Sequence, residues 1–233
     1  MNKISDIHTI AFDADDTLWD NETYFLKVEK EMCKVLSAYA APDVISSSLF
    51  SIEMTNMDDY GYGAMAYTLS LVENAVKVSD GKVTASEILS IVELGRTLLR
   101  LKAEPLPGVR ETLEELKSRG YQLVLFTKGE LLTQENKLKR SGLAHYFSHE
   151  VIVSDKQEQQ YTQLCHNLGI EPQQLMMVGN SLRSDIRPAL NIGAYAVHIP
   201  FEVMWQHEVV EDFEHPNMRR IATISELPAL LEI

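Results

Sequence analysis

Apolar residues recur along this chain in two different rhythms. From about Val109 onward, short apolar runs alternate with amphipathic stretches. The runs are Gln122 to Phe126, Glu150 to Val153, Gln174 to Val178 and Ala194 to Ile199, with a last short one at Ile221 to Ile224. Between them, Val109 to Lys117 places Val109, Leu113 and Leu116 on one face before Gly120. Leu131 to Leu143 ends in Ser141-Gly142, Tyr161 to Leu168 ends at Gly169, and Ser225 to Leu231 closes the chain. Glycine after a run of helical period is a stop signal. Strand-like runs alternating with helices predict a parallel sheet with crossover helices. The early run Ile7 to Phe12, rich in β-branched and aromatic residues, reads as a further buried strand.

From Asn21 to Ala103 the rhythm is helical throughout. Apolar residues fall at Tyr24, Val28, Met32, Val35 and Leu36, then at Ala66, Leu69, Leu71, Val72 and Ala75, then at Ile88, Ile91, Val92 and Leu98. No strand run interrupts them. The spacing predicts a helical lobe, residues 21–103, inserted after the first strand of a core made of residues 1–20 and 104–233, with Leu106-Pro107-Gly108 as the return linker.

Composition narrows the class. The chain has 233 residues, 45% hydrophobic and 24% charged, enough for a buried core. Its 34 acidic against 21 basic residues give a net charge of −13, which argues against general affinity for nucleic acid or anionic membrane. Cys33 and Cys165 stand far apart with no metal-ligand spacing, as free thiols in a reducing compartment would. Met1 to Asp6 carries no apolar signal core, and no uncharged stretch reaches the ~18 residues that span a bilayer. The expectation is a soluble, cytoplasmic protein.

The chemistry-bearing residues cluster at strand ends. Asp13, Asp15, Asp16 and Thr17 follow the first strand; Thr127 follows Leu125-Phe126; Lys156 follows the Glu150 run; Gly179 to Asp185 follows Met176-Met177-Val178. In a parallel sheet the carboxyl ends of the strands form one ligand-binding edge. Alone, Asp13 to Thr17 would equally suit a turn or a helix N-cap. Together the four segments supply a carboxylate nucleophile, a second acid, a hydroxyl, an ammonium and a distant carboxylate, the inventory of phosphoryl transfer through an aspartyl-phosphate.

In that order the segments resemble the four motifs of the haloacid dehalogenase superfamily, and the likeness spans Thr9 to about Ile199. The resemblance implies an α/β fold: a Rossmann-like parallel sheet core with helices on both faces, plus an α-helical cap in place of the inserted lobe. It implies Asp13 as nucleophile and Asp15 as the acid that protonates the leaving oxygen and then deprotonates water. Asp15 should then hold a proton near neutral pH, raised by neighbouring charge and coupled to Asp13. Thr127, Lys156 and the backbone N–H of Lys128 would hold phosphoryl oxygens. Mg²⁺ would be bound by the Asp13 carboxylate, the Asp15 carbonyl and Asp185. Asn180 replaces the acid common in relatives, so it would hold a metal-bound water or act as a neutral, weaker ligand. The substrate would be a small phosphorylated metabolite. Alternatives are a phosphomutase, a haloacid dehalogenase, or a non-enzymatic phosphoacceptor or phosphate-binding relative.

The remaining polar residues are read more plainly. Asp16, one position out of phase, suits a solvent-facing or turn role; His198, His207 and His215 suit surface or loop positions; Arg183 suits a surface ion pair as well as a substrate anion. Tyr60 and Tyr62, set among Gly61 and Gly63, are substrate-specificity candidates, with simple turn packing an equal reading. Trp19 to Glu22 mark the entry to the lobe as hinge or substrate contacts, and the oligomeric state is not legible.

Overall fold

A computed structural model describes residues 6–231. Residues 1–5, on which most of the signal-segment expectation rests, and residues 232–233 lie outside the described residues. The chain divides into two compact units, one formed up to Glu22 and from Ala103 on, the other Thr23–Lys102.

The first unit is an α/β fold. Six strands, β1 (Thr9–Phe12), β2 (Gln122–Lys128), β3 (His149–Val153), β4 (Leu175–Gly179), β5 (Tyr195–His198) and β6 (Met218–Arg220), form one parallel sheet in the order β3-β2-β1-β4-β5-β6. Because successive strand residues face opposite sides, the strands feed two cores. Ile10, Phe12, Leu123, Leu125, Met176 and Val178 pack with Val109, Leu113, Leu116, Leu138 and Leu227 on one face. Ala11, Val124, Phe126, Leu175 and Met177 pack with Tyr161, Leu164, Cys165 and Ala189 on the other. These are the two helical layers of a Rossmann-like sheet, and burial on both faces is why the strands read as unbroken apolar runs.

The second unit carries most of α1 (Glu22–Val35) and all of α2 (Pro42–Tyr60), α3 (Ala64–Val78) and α4 (Ala85–Leu99). Its core joins Val28, Met32, Leu36, Ile45, Leu49, Leu71, Ala75, Ile91 and Leu98. Gly95 of α4 lets α3 approach: a Cβ there would stand 2.1 Å from Thr68 Oγ1. Two apolar residues expected inside, Tyr24 and Leu69, are exposed. No helix among the described residues is long and apolar enough to cross a membrane.

The first unit continues after Ala103 with α5 (Val109–Ser118), α6 (Leu131–Ser141), α7 (Glu158–Leu168), α8 (Arg187–Asn191) and α9 (Leu227–Leu230). The last strand falls at Met218–Arg220 rather than at Ile221 to Ile224, where Ile221 and Ile224 are core contacts of a turn leading into α9. Apolar character there reflects packing under the sheet, which a short strand and a buried turn share.

Candidate active site

Strand order reverses between β1 and β4, and ligands bind at such a switch point beyond the strand carboxyl ends. Phe12 pairs in register with Leu125 and Val178, so Asp13 emerges between the ends of β2 and β4. Its N–H donates to the Val178 carbonyl at 2.9 Å.

The Asp13 carboxylate is buried and accepts from two groups: Lys156 Nζ to Oδ1 at 2.5 Å and Thr17 Oγ1 to Oδ2 at 3.2 Å. Lys156, 2% exposed, also donates to Asp185 Oδ1 at 2.7 Å. Burial works against this ammonium, but the two carboxylates outweigh it and hold its pKa above the ordinary value. Burial and the charge of Asp185 push the Asp13 carboxyl up to about 7, with Lys156 pulling the other way.

Asp185 sits in a π-helical turn, Leu182–Ile186, that follows β4. Ser181 caps this turn, its Oγ accepting from the Ser184 N–H at 3.0 Å, while its own N–H donates to Asp185 Oδ2 at 2.9 Å. Gly179 is required by this geometry, since a Cβ there would meet Asp185 Oδ2 at 2.2 Å. Behind the turn, the Tyr161 hydroxyl reaches the carbonyls of Ser184 and Asp185 at 3.0 and 3.1 Å. Asn180 Oδ1 lies 3.3 Å from Thr17 Oγ1, so it joins the same cluster as Asp13.

Thr127, at the end of β2, is buried and accepts from Gln134 Nε2 at 3.0 Å. The Lys128 side chain turns away to an ion pair with Glu208, 3.1 Å from Ser184 Oγ. Glu208 also accepts from the hydroxyls of Ser181 and Ser184, and despite its burial Lys128 and these donors hold its pKa below the usual carboxylate range.

The opening acidic triplet separates by direction. Asp15 accepts from Trp19 Nε1 at 2.7 Å, from Lys137 Nζ at 2.9 Å to each oxygen, and from Gln134 Nε2 at 3.2 Å. The charge nearest to it is therefore an ammonium, not the second carboxylate the sequence expectation invoked. Asp16 is buried rather than solvent-facing. It takes a left-handed φ of 62° and accepts from the N–H groups of Asn21 and Glu22 at 2.8 and 3.0 Å, closing the turn into α1. Burial pushes its carboxyl up to about 7.

Three other polar readings change. His198 is not a surface residue: it is buried at the end of β5, and its Nε2 donates to the Asn180 carbonyl at 2.9 Å, leaving Nδ1 without a partner among the described residues. Arg183 donates to the His207 carbonyl at 2.6 Å. Trp19 is buried in the first unit's core. Tyr60 ends α2 and is 54% exposed, and Tyr62 lies in the turn that follows; both belong to the helical unit. Lys137, Gln134, Glu208 and Tyr161 carry no strand-end signal, and His198, though it ends β5, lies in a strand whose burial does not alternate.

The donor set suits a hard divalent cation. Two carboxylates and an amide oxygen gather around Thr17 and Lys156, and one ammonium already touches both Asp13 and Asp185. No three acidic, His or Cys side chains group as a metal site among the described residues, in keeping with Asp15 turned toward Lys137.

The sequence profile of haloacid dehalogenase-like hydrolases matches residues 7–193. The chain is 26% identical to a glyceraldehyde 3-phosphate phosphatase of Methanothermobacter thermautotrophicus over 97% of this chain and 99% of that one. It is 28% identical to a phosphoglycolate phosphatase of Neisseria gonorrhoeae over 85% and 82%. A solved haloacid dehalogenase-like family hydrolase from Xanthomonas campestris superimposes with a TM-score of 0.89 at 33% identity, covering 97% of this chain and 91% of that one.

Proposed function

Because this chain belongs to the haloacid dehalogenase-like hydrolase family, we propose that it hydrolyses a small phosphate monoester through a covalent phosphoryl group on Asp13. The observation that carries this reading is the buried contact of Lys156 Nζ with both Asp13 and Asp185. An ammonium so placed opposes the burial and the Asp185 charge that raise the Asp13 carboxyl, orients it, and stands ready for the oxygens of an incoming phosphoryl group. The names of two relatives, glyceraldehyde 3-phosphate phosphatase and phosphoglycolate phosphatase, point to small esters.

In the first step an Asp13 oxygen attacks phosphorus as the bond to the leaving oxygen breaks, and Asp15 gives that oxygen its proton. In the second, Asp15 takes a proton from water as the water oxygen attacks phosphorus; the bond to Asp13 breaks, and phosphate and free Asp13 result. The Thr127 hydroxyl, the Lys128 N–H and Lys156 hold the non-bridging oxygens of the phosphoryl group. Asp13, Asp185, Asn180 and the Asp15 carbonyl would hold Mg²⁺, which when bound supplies positive charge against the phosphoryl oxygens. An acid two residues after the nucleophile favours ester hydrolysis over dehalogenation. Selection among substrates is assigned to the helical unit, residues 21–103 as a cap, with Tyr60 and Tyr62 as its first candidates.

The test is hydrolysis of 4-nitrophenyl phosphate with and without Mg²⁺, beside Asp13→Asn. The expected result is Mg²⁺-dependent release of phosphate that falls by at least about 10³-fold in the variant. Unchanged turnover in Asp13→Asn refutes the nucleophile.

A further inference from the structure

Among the polar residues that helix α6 buries, Thr133, Gln134, Lys137 and Ser141, Gln134 and Lys137 stand one turn apart, while Glu135, Lys139 and Arg140 around them are exposed. Lys137 is 4% exposed, a costly place for an ammonium unless every donor is used. Here three acceptors surround its Nζ, both oxygens of Asp15 at 2.9 Å and Asn21 Oδ1 at 2.7 Å. Gln134 Nε2 reaches Thr127 Oγ1, Asp15 Oδ2 and the Lys128 carbonyl at 3.0, 3.2 and 3.2 Å, so one amide ties Asp15 to the end of β2. The helix that carries both is fixed at its start by Glu130, whose carboxylate accepts from the N–H groups of Leu132 and Thr133 at 3.0 and 2.7 Å. With Trp19 Nε1 on its Oδ1, Asp15 has donors on both oxygens.

We propose that Lys137, assisted by Gln134, is a positioning residue that aims Asp15 at the leaving oxygen and thereby sets the enzyme's capacity for alkyl and unactivated aryl phosphates, whose leaving groups need a proton. The inference rests on the reading of Asp15 as the proton donor. An activated leaving group such as 4-nitrophenolate departs without much protonation, whereas phenolate or an alkoxide does not, so a misaimed acid reveals itself in leaving-group dependence and not only in rate. A residue that merely stabilised the fold would lower both alike.

The experiment compares kcat/KM, which reports the step that expels the leaving group and not the hydrolysis step both esters share, for phenyl phosphate and 4-nitrophenyl phosphate in the wild type, Lys137→Met, Lys137→Arg, Gln134→Ala, Asp15→Asn and the double variant Asp15→Asn/Lys137→Met. Since a well-placed general acid is worth about 10²–10⁴-fold, Lys137→Met is expected to lose about tenfold or more on phenyl phosphate beyond its loss on 4-nitrophenyl phosphate. Lys137→Arg, which keeps a cation able to donate to both carboxylate oxygens, should recover part of the difference. In the Asp15→Asn background the Lys137 substitution should add nothing, because the two act as a unit. Equal losses on both esters, or the same loss with and without Asp15, overturns the inference. Should Lys137→Met fail to show a cooperative thermal transition, Gln134→Ala must show the same leaving-group dependence in weaker form, and a flat response overturns the inference as well. If Asp15→Asn itself shows no added leaving-group dependence, the assignment of Asp15 falls and takes the inference with it. A steep Asp15→Asn beside a flat Lys137→Met overturns the inference alone.

Discussion

Glu208 accepts the ammonium of Lys128 across 80 residues of sequence, joining the loop after β5 to the end of β2. The same carboxylate takes the hydroxyls of Ser181 and Ser184 beside Asp185. One acidic side chain thus holds together two of the segments that frame the site. Removing it takes the anionic partner from a cation and the acceptor from two hydroxyls, so Glu208→Ala should destabilise the protein by about 2 kcal/mol, read as a lower urea midpoint at neutral pH.

The pH dependence of that loss has a definite sign. The Glu208 pKa is depressed in the folded state, chiefly by Lys128 acting against burial. Its contribution is therefore present above the unfolded glutamate pKa and disappears as pH falls through the lower folded value. The difference in unfolding free energy between wild type and Glu208→Ala should be constant from pH 6 to 8 and shrink on acidification below about 4. A difference that grows toward acid pH would show that Lys128 is not its main partner.

Gly179→Ala should disable the site while sparing the sheet. The added Cβ would meet Asp185 Oδ2 at 2.2 Å, and Gly179 ends a buried strand with no positive φ to relieve. The expected outcome is a loss of about tenfold or more in kcat, on the scale of a misplaced catalytic group, with near-wild-type circular dichroism. A fully active variant would mean that Asp185 is free to move.

Much of the site could be read from the sequence because strands β1, β2 and β4 are buried on both faces and end in polar residues. Asp13, Thr127 and the Gly179 segment are therefore marked by where an apolar run stops. Lys137 and Gln134 lie within a helix, where a buried polar residue looks like an exposed one until the partner across the fold is known. Helix α2 shows no clear apolar stripe within the helical lobe for a related reason: Ser46, Ser47 and Ser48 dilute it, and only Ile45, Leu49 and Ile52 are buried. Its Ser47 and Thr55 hydroxyls bond back to carbonyls four residues earlier instead of marking a turn. His198 was misread because the final residue of a short strand gives too little alternation to fix its face.

Asn180→Asp should tighten metal binding. The amide oxygen already lies beside the Thr17 hydroxyl, which also bonds Asp13, and an added charge about 4 Å from a cation is worth ~1 kcal/mol per unit of cation charge even in water-like surroundings. Half-maximal activity is expected at a Mg²⁺ concentration lower by on the order of tenfold. An unchanged Mg²⁺ requirement would place Asn180 away from the metal.

The central claim is that phosphoryl transfer passes through Asp13, and the most direct measurement is acid quenching during turnover of 4-nitrophenyl phosphate followed by peptide mapping. Asp15→Asn, which slows release of the phosphoryl group from the enzyme, should carry it on the peptide containing Asp13, and Asp13→Asn should carry none. A phosphoryl group on another residue, or turnover with Asp13 replaced, would contradict the account.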